Sequence, residues 1–284
     1  MRHDPIDSAL FTEHRKQLAA RLPPNSVAIV HAADPLTTNG DGVVRYVPAA
    51  DLFWLTGIEQ PESVAVLIPD AMNPAHREML FIREPNASLE TWEGHSLTKE
   101  KAQTISGIST VFWSDNLATT LHPLLVEKDS IVLNTNEHSR AGLGIESRDL
   151  RMARQFLDRY PLHSFHRLAP IFHDLRAVKS TAEVNIIRDA IAITKHGLDK
   201  VLSHLKPGVK EYELEAELIG EFTRQRATMG YEPIVASGKN ACTLHYINNN
   251  GPCQDGDLLL IDVGANHANY TADVTRVFPV SGRF

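Results

Sequence analysis

Cysteine is scarce in this chain: Cys242 and Cys253 are the only two among 284 residues. Their spacing gives no Cys-x-x-Cys pair, and both suit the role of buried thiols in a reducing compartment. Long hydrophobic runs are missing as well. Apolar stretches such as Leu258–Ile261 fall far short of the ~20 residues that a membrane-crossing helix needs. No basic segment followed by an apolar stretch opens the chain, so no secretory signal is legible. Positive charge is in deficit, with 28 Lys and Arg against 35 Asp and Glu and a net charge of −7. That balance gives no electrostatic case for nucleic acid or an anionic membrane as a partner. No glycine-rich phosphate loop follows a strand, and Gly40-Asp41-Gly42 reads more simply as a turn. The expectation is a cytoplasmic protein without a nucleotide, nucleic-acid or membrane signature.

What is present is ordinary globular material, 43% hydrophobic and long enough for two domains. Residues 1–175 alternate short β-like runs with amphipathic helices. The strand candidates are Val27–His31, Val64–Pro69, Met79–Arg83, Thr110–Trp113 and Ile131–Asn134. The helix candidates are Asp7–Leu22, Asp115–Leu125 and Ser147–Tyr160. This alternation predicts an α/β domain. Around Pro170–Lys179 the period changes, and residues 176–284 read as a second, α+β part. Ser180-Thr181-Ala182-Glu183 has capping-box spacing, and Val184, Ile187, Ile191, Thr194, Leu198, Val201 and Leu205 recur at helical intervals before Pro207-Gly208. A second helix from Glu211 to about Arg226 carries Leu214, Leu218, Ile219 and Phe222. Strands are then expected at Ile234–Ser237, Thr243–Ile247, Leu258–Val263 and Tyr270–Val277.

The last two strands form an expected hairpin with Ala265–Asn269 as its connection. In a register centred on 267 and 268, Asp262 faces Asp273, with β-carbons about 5 Å apart. Two such carboxylates repel and are costly to bury, which a shared proton, a neighbouring cation or bound metal would relieve. Carboxylate-held divalent ions support two-metal hydrolysis, and one aspartate can bridge them. The alternative is structural: Asp262 capping a turn beside Gly264, and Asp273 paired with Arg276 in a solvated hairpin. The apolar run Leu258–Ile261 favours a role for Asp262, because it carries the carboxylate into a core. Asp257 reads as a structural turn residue, and His267 as an exposed one. His245, on the expected strand Thr243–Ile247, is either a satisfied structural histidine or an imidazole that binds a carbonyl or shuttles a proton.

Three segments, Gly238–Tyr246 (GKNACTLHY), Asp255–Gly264 (DGDLLLIDVG) and Tyr270–Pro279 (YTADVTRVFP), resemble proline-specific aminopeptidase P. That family belongs to the creatinase, prolidase and methionine aminopeptidase superfamily, whose catalytic domain has the pita-bread fold. Asp51–Gly57 (DLFWLTG) with Pro61-Glu62-Ser63, and Glu90–Gly94 (ETWEG), resemble its N-terminal domain. The resemblance spans essentially the whole chain. It implies an aminopeptidase P-type N-terminal domain and the first half of a pita-bread domain, the two parts being 1–175 and 176–284. Asp262 and Asp273 would be two of five ligands to a pair of divalent ions, usually Mn²⁺, with Asp273 reaching both. His245 would lie against the substrate, and Trp92 would belong to a motif that lends an aromatic ring to a neighbouring subunit's site. The implied activity is release of an N-terminal residue that precedes proline, by metal-activated water, in a homo-oligomer acting on peptides with proline second. The family's other ligands, one histidine and two glutamates, have no counterpart after Asp273. The expectation is therefore a C-terminally truncated sequence, inactive by itself. Xaa-Pro dipeptidase shares the hairpin and is the alternative activity. A metal-free creatinase-like hydrolase leaves the aspartates unexplained, and a non-catalytic binding relative is the alternative of a different class.

Overall fold

The computed structural model describes residues 3–94, 96–140 and 144–283. They fall into two compact units, Pro5–Val178 and a second made of residues 179–283 with His3 and Asp4.

The first unit contains α1 (Ser8–Ala19), β1 (Ser26–His31), α2 (Ala50–Thr56), β2 (Val64–Leu67), β3 (Glu78–Ile82), α3 (Ala87–Glu93), α4 (Lys99–Ser106), β4 (Thr110–Trp113), α5 (Leu117–Leu125), β5 (Ser130–Leu133), α6 (Arg148–Arg159), β6 (Ser164–Arg167) and α7 (Ala169–Ala177). Side chains of Asp7, Thr98 and Ser147 cap α1, α4 and α6 by accepting from free N–H groups of the first turn. The strands form one sheet in the order β4-β3-β2-β1-β5-β6, antiparallel at β1/β2 and β2/β3 and parallel elsewhere. One face packs Val27, Ile29, Val66 and Phe81 against Leu121 and Phe156; the other packs Ala28, Val30 and Val132 against Leu18, Leu52 and Phe172. Burial on both faces explains why β1 is apolar throughout instead of alternating.

The expected strands of this unit begin and end within two residues of those observed. Helix α2 carries no sequence signal because Leu52–Thr56 are all buried, which erases amphipathic periodicity. Arg15, 0% exposed, binds its packing together: its guanidinium donates to Glu78 Oε2 (2.8 Å) and to the carbonyls of Leu55 and Ser106 (2.8 Å each). Those carbonyls close α2 and α4, each of which stops at a left-handed glycine, Gly57 or Gly107.

The second unit contains α8 (Thr181–His204), α9 (Glu211–Arg224), β7 (Thr228–Met229), β8 (Ile234–Ser237), β9 (Leu258–Val263), β10 (Ala265–His267), β11 (Tyr270–Thr271) and β12 (Val274–Pro279). Ser180 and Glu183 form the expected capping box on α8. The buried seam of α8 is Ala190, Ile193, Thr194, Gly197, Leu198 and Val201, whereas Ile191 is largely exposed. Gly197 sets this seam. A β-carbon there would stand 2.6 Å from the Phe222 ring, so the glycine admits Phe222 of α9 between the helices. Two small sheets follow, β12-β9-β8 and β11-β10-β7. Leu259, Ile261 and Val263 of β9 face the core with Val201, Leu214, Leu218 and Phe222, leaving Leu258, Leu260 and Asp262 on the opposite face. Thr243–Ile247, expected as a strand, instead forms a turn and loop after a short 3₁₀ segment, Gly238–Cys242.

Candidate functional site

The hairpin closes more tightly than a five-residue connection allows. Ala268 and Asn269 both have positive φ (50° and 63°), forming a two-residue turn of the kind that matches strand twist. Asn266 pairs with Thr271 and His267 with Tyr270, and on the far side Val263 pairs with Val274 and Asp262 with Thr275. Asp262 therefore does not face Asp273. The register is displaced by two positions from the one expected, and because side chains alternate with period two, both aspartates keep the same face. They are diagonal neighbours, and His267 is a half-buried strand residue instead of an exposed turn residue.

At the crossover between the two small sheets, Gly264 lies opposite Asp273. A β-carbon on residue 264 would fall 1.6 Å from the Ala272 carbonyl oxygen and 3.2 Å from the Tyr231 ring. Neighbouring main-chain groups are satisfied outside the hairpin ladder. Gly230 N–H donates to Gly264 O (2.8 Å), and Ala265 N–H donates to the Thr194 hydroxyl (2.9 Å), which fixes the hairpin against α8.

The absent side chain gives Tyr231 its place. Its hydroxyl oxygen lies 2.7 Å from Asp262 Oδ1 and 3.1 Å from Asp273 Oδ1. Asp262 is half-buried and Asp273 exposed, so the two carboxylates converge on one point at the solvent boundary. Burial pushes the Tyr231 phenol far above its ordinary range, reinforced by the hydrogen bond and charge of Asp262 and then by Asp273. The phenol is thereby kept as a donor, with its one proton directed chiefly to the nearer Asp262. Arg276 donates to the Thr275 carbonyl, so the structural pairing weighed for Asp273 is not the one formed.

Two carboxylates brought side by side about one hydroxyl present further hard oxygen donors of the kind that a divalent cation such as Mg²⁺ or Mn²⁺ prefers. Among the described residues no group of three or more His, Cys, Asp and Glu side chains gathers where a metal would sit. Asp262 and Asp273 therefore supply a partial donor set that fits such an ion.

His245 lies on a separate loop and is exposed, next to the half-buried Tyr246. The Tyr246 hydroxyl donates to Glu211 Oε2 (2.7 Å), and Glu211 is fully buried. Burial alone would raise the Glu211 carboxyl. Hydrogen bonds from Asn240, the Ser237 N–H, Tyr246 and the Gly251 N–H outweigh it and hold the group below the usual carboxylate range. Trp92 sits on α3 of the first unit, 84% exposed. Asp257 has a structural role, accepting from the Gln254 N–H and the Ser237 hydroxyl. Sequence reasoning missed both Tyr231 and Glu211. Gly230-Tyr231-Glu232-Pro233 reads as loop, and Glu211 reads as an ordinary acidic residue in a first helical turn.

Two family models match the chain: the N-terminal domain of aminopeptidase P over residues 11–133, and metallopeptidase family M24 over residues 185–284. Xaa-Pro aminopeptidase of Escherichia coli (strain K12) is 33% identical over 278 residues, an alignment covering 96% of this chain and 62% of that protein. Among solved structures, an aminopeptidase of Pseudomonas aeruginosa superposes with a TM-score of 0.86 at 33% identity, over 99% of this chain and 63% of the other. Aminopeptidase P from E. coli in a low-pH form gives 0.87 at 30% identity, over 99% and 64%. The fold is thus that of a pita-bread metallopeptidase preceded by an α/β domain. Within that superfamily the chain belongs to the aminopeptidase P family. It spans about three-fifths of the length of the curated relatives it matches.

Proposed function

We propose that the protein carrying this sequence is a metal-dependent Xaa-Pro aminopeptidase, releasing an N-terminal residue from peptides with proline second. The observation that carries the reading is the convergence of Asp262 and Asp273 on a single point in a chain of this family. The two carboxylates would hold part of a divalent, manganese-type pair. When bound, such ions supply Lewis acidity and an activated water. The protein's own groups have separable tasks. Tyr231 orients Asp262 and Asp273 through its hydroxyl. Gly264 admits both the phenol ring and the close strand crossing. His245, exposed on its loop, hydrogen-bonds the substrate near the scissile bond. Trp92, exposed on α3, is the side chain that a neighbouring subunit would cover in a homo-oligomer, since exposed aromatic residues are favoured at subunit contacts. Among the described residues no helix is long and apolar enough to cross a membrane. Two unpaired cysteines, Cys242 and Cys253, support a reducing, cytoplasmic location.

The test is peptide release by the full-length protein, purified without metal and assayed with and without added Mn²⁺. Substrates are an Xaa-Pro dipeptide, a longer Xaa-Pro peptide and the same longer peptide with alanine second. Mn²⁺-dependent release from the longer Xaa-Pro peptide alone or with the dipeptide supports the aminopeptidase reading. Cleavage restricted to the dipeptide would move the assignment to a dipeptidase, and no cleavage of either would remove it.

A further inference from the structure

The loop that carries His245 leaves β8 at Ser237 and returns at Gly251, and one side chain holds both ends. Glu211 is the first residue of α9 and is fully buried. Its Oε1 accepts from the Ser237 N–H (2.7 Å) and from Asn240 Nδ2 (3.0 Å). Its Oε2 accepts from the Tyr246 hydroxyl (2.7 Å) and the Gly251 N–H (2.6 Å). The Glu211 N–H donates in turn to the Gly251 carbonyl (3.0 Å). Tyr246 spreads the restraint, because its oxygen also accepts from Asn240 Nδ2 (3.0 Å) and the Asn250 N–H (3.3 Å). Gly251 has no room for a side chain: a β-carbon there would meet Asn240 Nδ2 at 2.6 Å and Glu211 Oε2 at 3.0 Å.

Every donor to this carboxylate comes from the loop or its two ends. Two donors on each oxygen match the full acceptor capacity of an ionised carboxylate. A glutamine in the same place would turn an NH₂ group towards two of the donors. The loop residues on the outer side are unrestrained by comparison: Leu244 is 89% exposed, and His245 is exposed beside the anchored Tyr246. Near its far end the loop is also held by the buried Asn249, which bonds the Val235 N–H, the Pro233 carbonyl and Glu215. The stretch from Gly238 to Ile247 has little buried apolar surface and would sample more conformations without the Glu211 tether.

We propose that Glu211 is a positioning residue that fixes the conformation of the 238–250 loop and so presents His245 to the substrate. The inference rests on the assignment of His245 above. Glu211 acts through Tyr246 and Asn240 and does not itself touch the reacting atoms.

The experiment uses the full-length protein with Mn²⁺ and three variants: Glu211→Gln, His245→Ala and the two combined. Glu211→Gln should lower kcat/KM on an Xaa-Pro peptide by about tenfold to a hundredfold, the loss that follows from breaking a hydrogen-bonded buried charge. In the His245→Ala background the same change should cost less than about twofold, because the group being positioned is already gone. Amide exchange across residues 238–250 should quicken in Glu211→Gln while the middle of α8 stays protected. Tyr246→Phe removes one donor without touching the carboxylate and should repeat both effects at smaller size, so a folding failure of Glu211→Gln leaves the idea testable. Equal losses in the two backgrounds, or unchanged loop protection, would overturn the positioning role while the wild-type protein remains an Xaa-Pro peptidase. A wild-type protein that cleaves no Xaa-Pro peptide would instead overturn the assignment of His245, and the positioning role with it.

Discussion

The Ala272 carbonyl oxygen stands 1.6 Å from the point where a β-carbon on Gly264 would lie, so the hairpin can cross only over glycine at that position. The closeness of this crossing brings diagonal neighbours, Asp262 and Asp273, to one phenol. Gly264→Ala should therefore do more than overpack. The backbone at Ala272 must retreat, and the Tyr231 ring, 3.2 Å from the added β-carbon, is crowded as well. We expect a stability loss at or above the upper end of the ~1–3 kcal/mol usual for overpacking. Urea unfolding of Gly264→Ala against wild type measures it, and an unchanged midpoint would show that the crossing relaxes freely.

The aspartates can be tested separately from the crossing. Asp262→Asn and Asp273→Asn keep volume and hydrogen-bonding shape but remove the charge a divalent ion needs. Each should lower Mn²⁺-dependent peptide release by the full-length protein about a hundredfold or more, since even outer partners of metal ligands are worth ~10–100-fold. Circular dichroism should remain that of the wild type. Near-normal turnover in either variant would sink the ligand assignment.

Tyr231→Phe separates the roles of donor and metal. Without its hydroxyl, Asp262 loses the phenol proton that it accepts, a loss of about 1.5–3 kcal/mol for a hydrogen bond to charge. The destabilisation should be largest without metal and shrink when Mn²⁺ offers the same carboxylates a positive charge in place of the lost donor. Unfolding midpoints with and without saturating Mn²⁺ give the comparison. The same difference in both conditions would mean that the ion does not sit between these carboxylates.

Glu211 makes a pH prediction with a definite sign. Its folded carboxyl is held below the ordinary value of 4.5, so protonation favours the unfolded chain. Its contribution is complete above 4.5 and is lost as the pH falls through the lower folded value. Asp4, Asp70, Glu137 and Glu221 are depressed in the same direction, so acid lability alone is not diagnostic. The diagnostic quantity is the gap between wild type and Glu211→Gln in urea midpoint. From about pH 6 to about pH 3 that gap should narrow; a constant gap would show that the folded Glu211 carboxyl is not held below its ordinary value, and a widening one that it is kept protonated.

Much of this was legible in the sequence because it depends on local pattern. Five of the six strands of the first unit (all but β6, Ser164–Arg167), the Ser180–Glu183 capping box and the shared face of Asp262 and Asp273 follow from period and spacing. The register was not legible, because the turn uses Ala268 and Asn269 at positive φ instead of the Asn-Gly pair that marks such turns. An error of two positions changed the partner of each residue and left its face alone. Glu211 and Tyr231 were invisible for a different reason. Their partners lie far along the chain, Gly251 and Asp273 being 40 and 42 residues away, and no local periodicity encodes a contact of that range. The seam of α8 was misplaced at Ile191 because Gly197 shows its function only once Phe222 is beside it.

Arg15 offers a test confined to the first unit and independent of any catalytic reading. Its guanidinium is 0% exposed and satisfies Glu78 and the terminal carbonyls of α2 and α4 at once. Arg15→Met keeps the length of the side chain and much of its packing but removes the donors. The Leu55 and Ser106 carbonyls then lose their partner in a buried place, and Glu78, with a third of its side chain exposed, turns towards water. Breaking one side of a buried ion pair costs about 3–5 kcal/mol, and the partial exposure of Glu78 places the expected loss towards the lower figure. Hydrogen exchange should show the excess opening at the ends of α2 and α4, with the α8–α9 pair unaffected. A loss below about 1 kcal/mol would mean that water replaces the guanidinium at these helix ends, as it does at exposed ones.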